Sequence, residues 1–322
     1  VIFVEESYQK AADIVVRKCL NVKPGEIFLI ITDTEKLNIA NALFKKGLEV
    51  GAETLMAIMK PRTRHGEEPP KPIAEMWKHV DVFVAPTTYS LTHTQARKKA
   101  VEAGARGATM PGITEDMFVR TLSIDYEIVR SNVEKLYDTL KGAKEVRVLS
   151  DKGTNLTLRI DGRPLHKDTG IYHNPGDFGN LPAGEIYVAP LEGTANGTIV
   201  FDGSIASVGL LREPVKITVK DGYAIKISGG DEAEKLRNIL EKVGKKEAYN
   251  IAELGIGCNP AAKVVGNILE DEKIYGTVHI ALGDNSTFGG KVVAGIHLDG
   301  IIMKPTLIVD SRKIIENGKW LI

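Results

Sequence analysis

The chain has 322 residues, 43% of them hydrophobic and 26% charged, a balance that fits folded domains with real cores and excludes a fibre or a disordered tail. Its 42 lysines and arginines equal its 42 aspartates and glutamates, so no net field attracts nucleic acid or an anionic membrane, and neither is expected as a partner. The two cysteines, Cys19 and Cys258, are too few and too isolated for a disulfide framework, a zinc ribbon or a Cys-x-x-Cys redox pair, and are expected as buried thiols.

In chain order, Val1 to Lys10 carries Glu5 and Glu6 and lacks the basic start and apolar run of a signal peptide. No apolar run reaches the roughly 18 residues of a bilayer-spanning helix, so a cytoplasmic protein is expected. Glutamine is confined to Gln9 and Gln95 while Glu and Lys are plentiful, a bias that points to a thermophile. After the Pro24-Gly25 turn, Glu26 to Thr32 reads as a strand, Glu35 to Val50 as a helix and Glu53 to Met59 as a second strand. Asp81 to Ala85 follows as a strand and Thr92 to Ala103 as a helix closed by Gly104. This alternation predicts an open, mainly parallel sheet covered by helices. Ligands of such sheets lie beyond the strands' carboxyl ends, and no glycine-rich phosphate fingerprint follows these strands, so no nucleotide cofactor is expected. His93, in Tyr89 to Thr94, stands at such an end and is a candidate catalytic or substrate-pocket residue; the alternative is a helix-capping turn with His93 merely exposed. Arg106 and Met110-Pro111-Gly112 are placed on the same rim.

The helix expected over Asp125 to Leu140 ends at Gly142, and the domain boundary is placed there: an α/β open-sheet domain over residues 1–142, then a β-rich α+β domain over 143–322. Val146 to Leu149, Asn155 to Ile160, Glu185 to Ala189, Gly197 to Phe201, Val215 to Lys220 and Tyr223 to Ile227 read as strands, the last two joined by an Asp221-Gly222 hairpin turn. One helix, Asp231 to Val243, opens on acidic residues that suit its amino terminus. His166, His173 and Asp177 fall in a long Gly/Pro-containing connection and read as loop residues, with a lid as the alternative.

The densest polar signal is Gly295-Ile296-His297-Leu298-Asp299-Gly300. On a strand, His297 and Asp299 share one face and offer an imidazole beside a carboxylate. His279 sits in the apolar run Tyr275 to Gly283, where a polar ring must find a partner. Two histidines with a carboxylate make half of a dinuclear hydrolase centre or the triad of a non-haem iron oxygenase. The alternative is a core histidine and a surface His-Asp pair. Glu185 and Glu253, each among apolar neighbours, add carboxylates that need a compensating cation or donor.

Gly184-Glu185-Ile186-Tyr187-Val188-Ala189-Pro190, Ala252-Glu253-Leu254-Gly255-Ile256-Gly257, His279-Ile280-Ala281-Leu282-Gly283 and His297-Leu298-Asp299 resemble the thermophilic metallo-aminopeptidase family typified by aminopeptidase T, which has 2,5-dihydroxypyridine dioxygenase as a relative. Pro24-Gly25-Glu26 and Gly51-Ala52 resemble its amino-terminal domain. The resemblance implies two divalent ions (zinc, cobalt or manganese) on Glu185, Glu253, His279, His297 and Asp299, with Glu253 also available as general base. It implies a homodimeric metallopeptidase that hydrolyses amino-terminal residues from small peptides. Ser286 stands where those aminopeptidases have a tyrosine, with Phe288 the nearest aromatic, and the chain is shorter than theirs. The dioxygenase branch implies instead one ferrous ion on His279, His297 and Asp299. A metal-binding protein without turnover is the third expectation.

Overall fold

In this computed structural model, which describes residues 2–322 with side chains from residue 6 onward, the first apolar run becomes the strand Ile27–Asp33. It pairs in parallel with Glu53–Met59 on one side and Val82–Thr87 on the other, and Arg106–Pro111 and Phe178–Asn180 extend the sheet beyond the latter. Parallel strands need crossovers, and the helices Leu37–Glu49, Lys71–Trp77 and Gln95–Glu102 supply those that link the strands from Ile27–Asp33 to Arg106–Pro111. Val82–Thr87 is buried along its whole length because both faces are covered. On one face Trp77 meets Phe83 edge-on at 5.0 Å, and Phe83 stacks with Phe178 at 6.2 Å.

Two elements of this sheet escape a hydrophobic-pattern reading. Arg106–Pro111 (RGATMP) has little β propensity, yet a β-carbon on Gly107 would lie 2.1 Å from the Phe83 carbonyl oxygen, so only glycine lets the strand seat there. Phe178–Asn180 arrives from far along the sequence and aligns Phe178 with Gly107. That return sets the division of the chain. One compact unit comprises Val1–Arg130 with Asp168–Ala183, and the other Ser131–Lys167 with Gly184–Ile322, so the boundary differs from a single cut at residue 142.

The second unit holds two sheets. An eight-stranded antiparallel sheet contains the hairpin Val215–Lys220 and Tyr223–Ser228, turned at Asp221-Gly222 as the sequence indicates. The seven-stranded sheet has Ile251–Gly257, Val278–Gly283 and His297–Ile302 side by side, with Glu185–Val188 on the far edge of Ile251–Gly257. Val146, Val148, Ile199 and Ile217 of the first sheet share one apolar core with Leu254, Ile256, Ile280 and Leu298 of the second. Val133, Leu136 and Leu140, spaced as one helix face, and Ala233, Leu236 and Leu240 of the helix Asp231–Val243 complete it. The mixed α/β class with a parallel sheet is thus the observed one. Cys19 and Cys258 are free and buried, and among the described residues no helix is long and apolar enough to cross a membrane.

Candidate metal centre

Strand alternation builds the site. Along the seven-stranded sheet Ile186, Val188, Leu254, Ile256, Ile280, Leu282, Leu298 and Ile302 point into the core. Their neighbours Glu185, Glu253, His279, His297 and Asp299 therefore share the opposite face. Register places Ala281 between Glu253 and Asp299, Gly283 opposite His297, Gly255 opposite His279 and Gly257 opposite Glu185. At Gly255 the missing side chain leaves the volume that the His279 ring fills, whereas Gly257 and Gly283 admit the close backbones of Ile274 and Ile296.

A bulge makes the set possible. Ile251 pairs with Leu282 and Glu253 with Ala281, so two steps on one strand answer one step on the other. Without that extra residue Ile251 and Glu253 would face the same way. With it, Ile251 joins the core while Glu253 joins the polar face.

The donors converge. His279 Nε2 lies 3.1 Å from Glu185 Oε2 and 3.3 Å from Glu253 Oε1. His297 Nε2 lies 3.3 Å from Glu253 Oε2 and 3.4 Å from Asp299 Oδ1. The Glu253 carboxylate thus faces both imidazoles. His297 Nδ1 is 2.7 Å from the Asp284 carbonyl oxygen, which can only accept, so Nδ1 carries a proton and Nε2 is the ring atom that faces Glu253 and Asp299. Burial opposes ionisation of Glu253, but hydrogen bonds from the two imidazoles hold its carboxyl down at about 2. Burial likewise disfavours charge on His279, yet Glu185 and Glu253 push it well above the usual imidazole range, and Asp299 and Glu253 do the same to the half-buried His297.

Glu185 with Glu253 and His279, Glu253 with His297 and Asp299, and Glu272 with His279 and Asp299 each bring donor atoms within 4.8 Å of one another. Among the described residues, Glu185 Oε2, Asp299 Oδ1 and His279 Nδ1 are buried without a hydrogen-bond partner, a costly state that a cation relieves at the two oxygens. The residues therefore fit a divalent metal ion. Oxygen and imidazole donors together suit iron, manganese, cobalt and zinc.

Glu272 and Lys273 carry no legible signal, because Glu270-Asp271-Glu272-Lys273 reads as a solvated charge run. Instead Glu270, Asp271 and Lys273 are buried, Glu270 accepting from the Lys263 N–H and Asp271 from the N–H groups of Val265 and Gly266. Burial and the charges of Glu185 and Asp299 push Glu272 up to about 8 despite the adjacent Lys273.

An aromatic wall adjoins His297. The Phe288 ring meets the His297 ring edge-on at 5.7 Å and Tyr187 at 5.6 Å, and Tyr187 stacks on His166 at 5.0 Å. His166, at the start of the short strand His166–Asp168, belongs to this wall. His173 and Asp177 belong to the other unit, where Asp177 accepts from the His173 N–H in a turn. Ser286 is exposed and hydrogen-bonds to Asp284 rather than facing the carboxylates.

His93 is outside the donor groups. It lies in the first unit, exposed, on a turn that Thr94 caps by accepting from the Arg97 N–H and that Thr92 ties to Thr109 at 2.8 Å. Arg106 is not a rim residue. Its buried guanidinium grips Glu26 with two hydrogen bonds and donates to the carbonyls of Leu20 and Asn21, at the amino end of its strand.

Comparison with known proteins adds what geometry alone leaves open. The family model described as "NicX: 2,5-dihydroxypyridine 5,6-dioxygenase" matches residues 9–322. A 2,5-dihydroxypyridine 5,6-dioxygenase of Pseudomonas putida is 28% identical over 191 residues, which are 56% of this chain and 55% of that protein. The chain thus aligns with little more than half the length of this curated relative. The solved structure of 2,5-dihydroxypyridine dioxygenase from Pseudomonas putida superposes with a TM-score of 0.82 at 19% identity, covering 99% of this chain and 96% of that one. Wild-type AmpT from Thermus thermophilus superposes with a TM-score of 0.73 at 17% identity, covering 98% and 99%, a likeness of fold alone. The expectation of a hydrolase, a protease or aminopeptidase cutting peptide bonds, is therefore corrected: what the aminopeptidase motifs share with this chain is the fold, and the match along nearly the whole chain is to the dioxygenases. The chain belongs to the NicX family, that of 2,5-dihydroxypyridine 5,6-dioxygenase.

Proposed function

We propose that this protein is a ferrous-iron-dependent dioxygenase that opens the ring of a dihydroxylated pyridine. The observation that carries the reading is the pair of imidazoles, His279 and His297, facing one buried carboxylate edge with Asp299 beside them, in a chain of this family. His279, His297 and Asp299 would hold the ion, a two-histidine, one-carboxylate set that leaves positions open for small ligands. When bound, ferrous iron supplies the one-electron chemistry that lets molecular oxygen react with a closed-shell ring. The overall reaction breaks one carbon–carbon bond of the ring and leaves both oxygen atoms on the two carbons released.

The chain's own groups then have defined tasks. The Asp284 carbonyl keeps His297 Nδ1 protonated, so Nε2 is the ring atom that faces the site. Glu253, directed at both imidazoles, fixes the orientation in which they face the site. Phe288 and Tyr187 offer flat apolar surface to the substrate ring next to His297.

The test is anaerobic loading with ferrous iron, then oxygen-electrode assay with 2,5-dihydroxypyridine and a panel of mono- and dihydroxylated aromatics. One oxygen consumed per ring, with loss of the ring's ultraviolet absorbance, is the expected outcome. Iron-loaded protein that consumes no oxygen with any of them would overturn the reading.

A further inference from the structure

Residues 284–296 join two neighbouring antiparallel strands, Val278–Gly283 and His297–Ile302, each of which carries one imidazole of the metal centre. Two residues suffice for such a turn, and a connection this long is commonly either functional or disordered. Thr287, Gly289, Lys291 and Val293 are exposed, yet the backbone is held at both base and tip. At the base the Asp284 carboxylate accepts from the N–H groups of Ser286 and Ala294. At the tip the Arg163 guanidinium, 7% exposed, donates to the Gly289 carbonyl and to Glu192, and Glu192 accepts from the Lys291 N–H at 2.8 Å. His166 Nε2 is 3.0 Å from the Phe288 carbonyl oxygen, which can only accept, so the ring donates there. Gly289 has a φ of +104°, and a β-carbon on it would stand 2.5 Å from Pro164 Cγ, so the tip rests on the segment that bears Arg163 and His166.

We infer that Arg163 and His166 are positioning residues that clamp this loop by its backbone and so fix the Phe288 ring against His297, as a preformed wall for the substrate ring. The inference rests on the ring-substrate reading above for what the wall receives, whereas the clamp stands on contacts within the protein. The bonds to the tip go to main-chain atoms, the Phe288 and Gly289 carbonyls and the Lys291 N–H. The clamp therefore sets where residue 288 stands, whatever its side chain. His166 opens the edge strand His166–Asp168 beside Glu185–Val188, which anchors the clamp in the same sheet as the metal donors. A wall already immobilised costs the substrate no ordering on binding, so losing the clamp weakens binding rather than the chemical step.

The test is hydrogen exchange, read by mass spectrometry on peptides spanning residues 284–296 in protein without added metal, with oxygen uptake after iron loading as the second readout. Exchange there should be slow in the intact protein. Arg163→Met and His166→Leu should each speed it by about fivefold or more, the scale of a lost hydrogen bond, while peptides from Val278–Gly283 and His297–Ile302 keep their rates. His166→Gln, which can still donate to the Phe288 carbonyl, should restore slow exchange, and Phe288→Ala should keep it. In oxygen uptake Arg163→Met should raise KM about as much as Phe288→Ala does and leave kcat within about twofold. Should Arg163→Met fail to fold, the comparison of His166→Leu with His166→Gln decides. A loop that exchanges as fast in the intact protein as in the variants, a rise shared equally by the flanking strands, or a released loop with KM unchanged would overturn the inference while leaving the dioxygenase reading intact. Slow exchange that the variants release, in a protein that takes up no oxygen with any ring, would keep the clamp and overturn that reading.

Discussion

The His279 ring lies across Gly255, its cross-strand partner: a β-carbon on Gly255 would stand 1.8 Å from His279 Nε2 and 2.2 Å from Cε1. The missing side chain lets the ring reach sideways to Glu185 and Glu253 instead of standing off the sheet. Gly255→Ala should therefore expel the ring, cost about 1–3 kcal/mol of stability as an overpacked site and weaken metal binding at least tenfold. Calorimetric titration with manganese(II) and thermal melts measure both. Unchanged metal affinity would show that the ring position is not needed.

His297 and Asp299 are held two apart on a strand whose other face is core, so their removal leaves the fold standing. His297→Ala and Asp299→Asn should each cut metal affinity by about 10–100-fold or more, with the circular-dichroism spectrum preserved. Full iron content in either variant would remove that residue from the site.

Phe288 touches His297 and Tyr187 but belongs to none of the donor groups. Phe288→Ala should leave iron content unchanged and raise KM for the ring substrate by roughly 10-fold, the scale of an aromatic contact of about 0.5–1.5 kcal/mol plus lost area. Steady-state oxygen uptake separates KM from kcat. A loss confined to kcat would place the residue in the chemistry instead.

Partial burial opposes ionisation of Glu26, but the hydrogen bonds and charge of Arg106 outweigh it and hold its pKa below the ordinary carboxylate value. A depressed carboxyl contributes stability that is fully present above its unfolded pKa, roughly 4.3, and is lost as pH falls through the folded value. Glu26→Gln should thus cost about 1.5–3 kcal/mol at pH 7 and flatten the acid limb of the stability curve below about pH 4. Urea melts at pH 7, 5 and 3 test it; an equal loss at all three would assign the cost to packing rather than charge.

Much of the donor set was legible because alternation is a local rule. His297 and Asp299 had to share a face once their segment was a strand, and Glu185 and His279 were marked by polar groups inside apolar runs. The parallel first sheet and most helices followed from the same periodicities. Glu253 was marked too, but its direction was not, since only the bulge before it turns it away from Ile251. Lys273 was hidden because burial of a charge run depends on the strands that surround it. His166 stacks on Tyr187 and meets Phe288, the latter over a hundred residues away in the chain. Phe178–Asn180 entered the first sheet by a pairing with Arg106–Pro111 that no short window contains. The choice between peptide and ring substrate was likewise beyond the motifs, since both branches share them; the match over residues 9–322 turned it toward the dioxygenases. What the sequence determined by itself was therefore which residue types share a face. Which of them meet was decided by tertiary pairing, because register, bulges and burial are properties of neighbours in space.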